Sequence, residues 1–172
     1  MTTGEAQLNT ALGEALLKDV AFSQWFLAKT RFKDQSANCV FCRSNNPWSR
    51  VTLEAPVKLD GSFAALVREC ETDVLAVYET AEKHRLALHI ENKLAGGSFT
   101  SNQPELYRAR LQQWRNRPKL GFYSDAASVL IAPQSFFARL SGQAQIFDVL
   151  ISHEDIACWL PIFSPASHAQ KH

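Results

Sequence analysis

Apolar positions follow two periods along this chain. Near the N-terminus Leu8, Leu12 and Leu16 recur at i, i+4, the spacing of one helical face. Thr2 and Glu5 are spaced as a capping box for that helix. Asp19 is placed to cap a second helix over 20–28, rich in Phe22, Trp25, Phe26 and Leu27. The stretch from Arg31 to Arg50 carries Asn, Ser and Pro without a period and is expected to be a long loop. Val51–Leu59 reads as the first strand, with Pro56 setting an edge position or an early end. Asp60-Gly61 reads as a turn, and Phe63–Cys70 as irregular or briefly helical. Thr72–Tyr78 and Leu86–Ile90 are apolar runs of strand length. The polar link Glu79–Arg85 is short enough to make them antiparallel neighbours.

Gly96-Gly97-Ser98 then leads into a helix running from Gln103 to about Arg115 and ending before Pro118. A strand over Ala127–Ala132, a short helix over Ser135–Leu140, a last strand over Ile146–Ile151 and a helix over Glu154–Leu160 complete the pattern. These elements predict one α/β domain over residues 1–162, a central mixed sheet flanked by helices, with 163–172 as a disordered tail.

Composition narrows the class. A chain of 172 residues, 46% hydrophobic and 20% charged, buries a proper core and is not a disordered polymer. The formal charge of +1 provides no global attraction to nucleic acid, so any such attraction is local. The N-terminus has no basic region followed by an apolar run, and no run reaches membrane-spanning length, so the expected compartment is the cytoplasm, without membrane contact. Cys39, Cys42, Cys70 and Cys158 do not make a disulfide framework. Cys39 and Cys42 form a lone CxxC. Zinc would need further ligands, and the spacing of His153 and Cys158 does not demand that they supply them.

Candidate chemistry gathers at the ends of the two central strands. Asp73 opens the first; Glu91 and Lys93 close the second and point to one face, while Asn92 points away. In an antiparallel pair the start of one strand lies beside the end of the other, so Asp73 can meet Glu91 and Lys93. Two carboxylates and an ammonium suit a hard divalent cation such as Mg²⁺ or Mn²⁺, with the carbonyl of Asn92 as a further donor. Such an ion would serve attack of water on a phosphate, and Lys93 would position and activate that water. As a residue closing a strand, Lys93 is expected to contribute little to stability. The same D…ExK residues also fit strand ends that merely face water. Downstream, Gln103 and Tyr107 stand four apart on one helical face.

The run ETDVLAVYE…LALHIENKLAGGSF…QPELY resembles the PD-(D/E)XK nuclease superfamily, and within it a bacterial group of small nuclease-like proteins. The resemblance covers roughly residues 51–160. Asp73 matches the first motif acid, Glu91 and Lys93 the ExK, and Gln103 and Tyr107 the QxxxY found in many members. It implies an αβββαβ restriction-endonuclease-like core and metal-dependent hydrolysis of nucleic acid phosphodiesters, with DNA the expected substrate. Gln103 and Tyr107 would steady the site or the substrate strand. An acid on the first helix often joins the metal site in this superfamily, and Glu14 is the expected one. Its other reading is an exposed partner of Lys18. Cutting both strands of a duplex often needs two active sites, which a homodimer would supply.

Between Leu106 and Ser124 the chain has no acid but carries Arg108, Arg110, Arg115, Arg117 and Lys119. Phosphate neutralisation is the functional reading of this run, and a solvated helix face the plain one. His89 shares the face of Glu91 and reads first as a packed strand residue. Two other classes remain open: a catalytically inactive nuclease-fold module that binds nucleic acid or regulates, and an interaction domain with charged strand ends.

Overall fold

The computed structural model describes residues 4–54, 65–99, 103–139 and 141–164. It is a mixed α/β fold built on a five-stranded sheet flanked by helices. Helices α1 (Glu5–Lys18) and α2 (Val20–Ala28) precede strand β1 (Ala37–Arg43). A separate hairpin, β2 (Trp48–Glu54) and β3 (Ala65–Glu71), leads to the central strands β4 (Val74–Thr80) and β5 (Arg85–Asn92). Then come α3 (Gln103–Gln113), β6 (Asp125–Ala132), the short helices α4 (Gln134–Arg139) and α5 (Ser141–Ala144), β7 (Val149–Ser152) and α6 (His153–Ala157).

The sheet order is β1-β4-β5-β6-β7. The β1–β4 and β4–β5 pairs are antiparallel, whereas β5–β6 and β6–β7 are parallel. The parallel β5–β6 step requires a crossover, and α3 lies within it. Both faces of the central strands are buried, which explains why β4, β5 and β6 are almost wholly apolar. Val74, Ala76, Leu88, Ile90 and Val129 face a core that includes Leu8, Leu12, Leu16, Phe22 and Phe26. Leu75, Val77 and Ala87 face Trp114, Leu120 and Tyr123. Helix α1 starts from Gly4, whose N–H donates to Gln7 Oε1 at 3.2 Å; the Thr2 of the expected capping box lies outside the described residues. Asp19 caps α2 as expected, accepting from the Phe22 N–H at 3.0 Å.

Three expectations need correction. The span read as one long loop, 31–50, contains β1 and the start of β2. Its sequence, ANCVFCR, hides the strand because a bulge between Cys39 and Phe41 breaks the alternation. The span 63–70, read as irregular or briefly helical, contributes most of β3, in which the consecutive exposed residues Val67, Arg68 and Glu69 erase the alternation of a strand. Phe163, assigned to the tail, is fully buried in the core beside α1 and α2 residues. Pro56, Asp60-Gly61 and residues 165–172 lie outside the described residues.

The hairpin is fastened to α3 by a side-chain amide. Gln113 Oε1 accepts from the Thr52 N–H and its Nε2 donates to the Thr52 carbonyl, each at 2.8 Å. Among the described residues, no helix is long and apolar enough to cross a membrane. Cys39 and Cys42 are free and half-buried on β1. Burial pushes the Cys39 thiol up to about 11 and raises that of Cys42 as well, so neither is a ready thiolate.

Candidate active site at the ends of β4 and β5

Strand alternation brings the expected residues together. Asp73 lies one residue before β4, and Val74 pairs with Ile90, which sets Asp73 beside the end of β5. Asp73, Glu91 and Lys93 line one cleft of about 450 Å³, together with Glu5, Asn46, Trp48 and Arg110. Glu91 and Lys93 leave the same face of the chain, and Lys93 Nζ sits 2.6 Å from Glu91 Oε1. Glu91 is 2% exposed. The hydroxyl of Tyr107, on α3, donates to Glu91 Oε2.

Asn92 points to the other face, as the alternation requires. Its main-chain N–H donates to Asp73 Oδ2 at 2.7 Å. Its side chain joins two distant elements: Nδ2 donates to Asn9 Oδ1 on α1, and Oδ1 lies 2.8 Å from His153 Nε2 on α6. An amide oxygen only accepts, so His153 Nε2 carries the proton in this contact. These ties fix the β5 end and the N–H that holds Asp73.

The cleft shifts the titration of its groups. Burial raises the Asp73 carboxyl, the charges of Glu91 and Glu5 add to that, and the Asn92 N–H and Lys93 only partly offset it; the result is about 7. For Lys93 burial acts downward, but the charge and hydrogen bond of Glu91, with Asp73 and Glu5, win and hold the amine as an ammonium. Lys93 is therefore a fixed cation and not a proton acceptor. Burial and the neighbouring Glu91 raise the Tyr107 hydroxyl well above its ordinary value, so it stays a neutral donor.

Glu14 does not reach the cleft. It is exposed and pairs with Lys18 at 3.1 Å, and the first-helix acid that lines the cleft is Glu5. The helical wheel carries the signal: Glu5 lies on the stripe of Leu8, Leu12 and Leu16 that faces the sheet, and Glu14 lies opposite it. Glu5→Gln is expected to lower the Asp73 titration slightly, burial and Glu91 keeping it raised, and Glu14→Gln to leave it unmoved, as read by carbon NMR of the Asp73 carboxyl. Gln103 opens α3, but its side chain lies outside the described residues.

The five basic residues do not share one surface. Arg110 is 1% exposed, and its guanidinium lies 3.4 Å from the Tyr107 ring centroid and 5.5 Å from that of Trp114. Its Nε and Nη2 are buried without a hydrogen-bond partner, and it is reached through the cleft rather than from a solvated helix face. Arg115 donates to the Leu111 carbonyl and stands 3.9 Å from Asp125. Arg117 holds Ser49 Oγ and the Arg50 carbonyl on β2. Arg108 and Lys119 are exposed. His89 is packed, as expected, with Nε2 2.8 Å from the Tyr123 hydroxyl and its ring against Trp114.

Among the described residues, no group of three or more His, Cys, Asp or Glu side chains is arranged to hold a metal ion. A divalent ion at Asp73 and Glu91 would thus rely on two carboxylates with main-chain, water or phosphate oxygens, a donor set that suits Mg²⁺. No family model matches the chain, and no curated protein or solved structure matches it.

Proposed function

We propose that this chain is a metal-dependent nuclease of the PD-(D/E)XK type, hydrolysing phosphodiester bonds of nucleic acid, with DNA the expected substrate. The convergence of Asp73, Glu91 and Lys93 in one cleft carries this reading. The order of elements supports it: with α2 and the β2–β3 hairpin set aside, α1, β1, β4, β5, α3 and β6 run αβββαβ, the order of a restriction-endonuclease-like core. Asp73 and Glu91, with the carbonyl of Asn92, would hold Mg²⁺ or Mn²⁺. The raised Asp73 carboxyl fits this, because unbalanced negative charge in a buried cleft is what a cation relieves. Such an ion supplies Lewis acidity toward the phosphate and lowers the pKa of a water.

The side chains of the chain itself do the remaining work. The Lys93 ammonium stands where negative charge develops on an attacked phosphate and orients the water. Tyr107 holds Glu91 in one rotamer and, as a neutral donor, takes no proton from it. Arg110 adds a second, buried cation behind the cleft wall, whose charge favours a phosphate in the cleft.

One observation favours a second reading. Both oxygens of Glu91 are already engaged, by Lys93 and Tyr107, as in a nuclease fold that binds nucleic acid without cutting it. Purified protein incubated with single- and double-stranded DNA and RNA separates the two. Cutting with Mg²⁺ or Mn²⁺ that chelator abolishes is expected; no cutting of any substrate with either ion leaves the non-catalytic module.

A further inference from the structure

A second cavity, of about 840 Å³, opens beside the cleft, and among the described residues its lining includes Arg43, Arg50, Arg117 and Lys119 but no carboxylate. Asn46 and Trp48 line both cavities, so the two adjoin at these residues. Trp48 is 63% exposed, although it is a large apolar side chain at the start of β2. Asn46 has positive φ and its Nδ2 lies 3.4 Å from Asp73 Oδ1, which ties the loop before β2 to the site. Arg117 fixes the groove wall by holding Ser49 and the Arg50 carbonyl, while Arg50 pairs across the hairpin with Glu69 at 3.3 Å.

The charges of the two cavities are opposed. The cleft sets the carboxylates of Glu5, Glu69, Glu71, Asp73 and Glu91 against the two cations Lys93 and Arg110, and without a bound metal ion this excess repels a phosphate backbone. Affinity for a polyanion must come from outside it, and the adjoining groove has the matching sign. A duplex keeps its bases stacked inside, so the face of an exposed indole is of use only to an unpaired base.

We propose that the groove of Arg43, Arg50, Arg117 and Lys119 is the track of an unpaired nucleic acid strand, and that Trp48 stacks a base where the strand turns into the cleft. The proposal rests on the nuclease reading for the identity of the ligand, and it names the substrate class: single strands or unpaired segments. The backbone lies along the cations, the base leaves the stack at Trp48, and the next phosphate is delivered toward Asp73 and Lys93.

Fluorescence anisotropy in chelator, where cutting is suppressed, tests it with labelled oligothymidylate and oligouridylate of about a dozen nucleotides and a duplex of equal length. Both unpaired strands are expected to bind better than the duplex. Trp48→Ala is expected to weaken them about tenfold, and Trp48→Phe, which keeps a ring, to retain most of the affinity. The Arg43→Ala/Lys119→Ala double variant is expected to flatten the dependence of affinity on salt. Trp48 is exposed, so its truncation leaves the core intact. Tighter binding of the duplex, or strand affinity unmoved by Trp48→Ala, overturns the proposal and leaves the cleavage chemistry standing. Normal strand binding without cutting in Mg²⁺ or Mn²⁺ overturns the hydrolytic reading and leaves the track standing.

Discussion

Lys93→Ala is expected to slow phosphodiester cleavage about a hundredfold or more, the usual loss when one preorganised group facing developing charge is removed. It is also expected to destabilise the protein, contrary to what a residue at a strand end suggests. The Lys93 side chain is only 12% exposed and its partner Glu91 is nearly fully buried. Removing the ammonium leaves that carboxylate without its cation, at a cost of about 3 kcal/mol or more. Loss of activity in the single variant would therefore mix chemistry with folding.

The Lys93→Met/Glu91→Gln variant separates them. It removes both charges, leaves Tyr107 an amide oxygen to donate to, and is expected to denature in urea near the wild-type midpoint while remaining inactive. Excess Mg²⁺ is expected to rescue neither Lys93 variant but to restore part of the activity of Asp73→Asn, whose defect is metal affinity. A double variant that folds normally and cuts at the wild-type rate would remove Lys93 and Glu91 from the chemistry.

Asp73→Asn is expected to make the protein more stable at pH 8 and no more stable at pH 4. The Asp73 carboxyl lies at about 7 in the folded state against an ordinary 3.8. Between those values the folded protein holds a proton that the unfolded chain has released, so stability falls as pH rises through this window. Above it the folded state carries a buried, crowded charge. The full shift corresponds to about 4 kcal/mol; solvent access and relaxation reduce the expected gain to about 2 kcal/mol, or roughly 4–8 °C in melting temperature. Mg²⁺ is expected to raise the melting temperature of the wild type at pH 8 and to do little for the variant. Equal wild-type and variant stability at pH 8 would mean that Asp73 is not strained by its neighbours. The variant would thus exchange function for stability, as site residues commonly do.

The central strands were legible because burial on both faces leaves little but apolar residues in β4, β5 and β6. The hairpin was not, since Arg50, Val67, Arg68 and Glu69 are all exposed and its charges fall on both faces. Period-two alternation was enough to set Glu91 and Lys93 on one face and Asn92 on the other, and antiparallel pairing brought Asp73 to them. Helical faces were used less well. Arg110 falls between Tyr107 and Trp114 at i, i+3 and i+7, so its place on a buried stripe was readable, but the charge of the run suggested a surface that meets phosphate or solvent. Trp48 had no such signal: an indole in a span without period says nothing of exposure, and its place between two cavities depends on contacts distant in sequence.

The Asn92 carboxamide binds Asn9, 83 residues earlier, and His153, 61 residues later. Those partners come from α1 and α6, so both long loops must close before the strand end that carries the Asp73 contact is held from both sides. Synthesis proceeds from the N-terminus, and a nascent chain has β4, β5 and all of Asp73, Glu91 and Lys93 well before His153 emerges. The His153 tie thus forms only after the residues of the proposed site have been made, so a chain stopped before α6 lacks one of the two contacts that hold the Asn92 side chain.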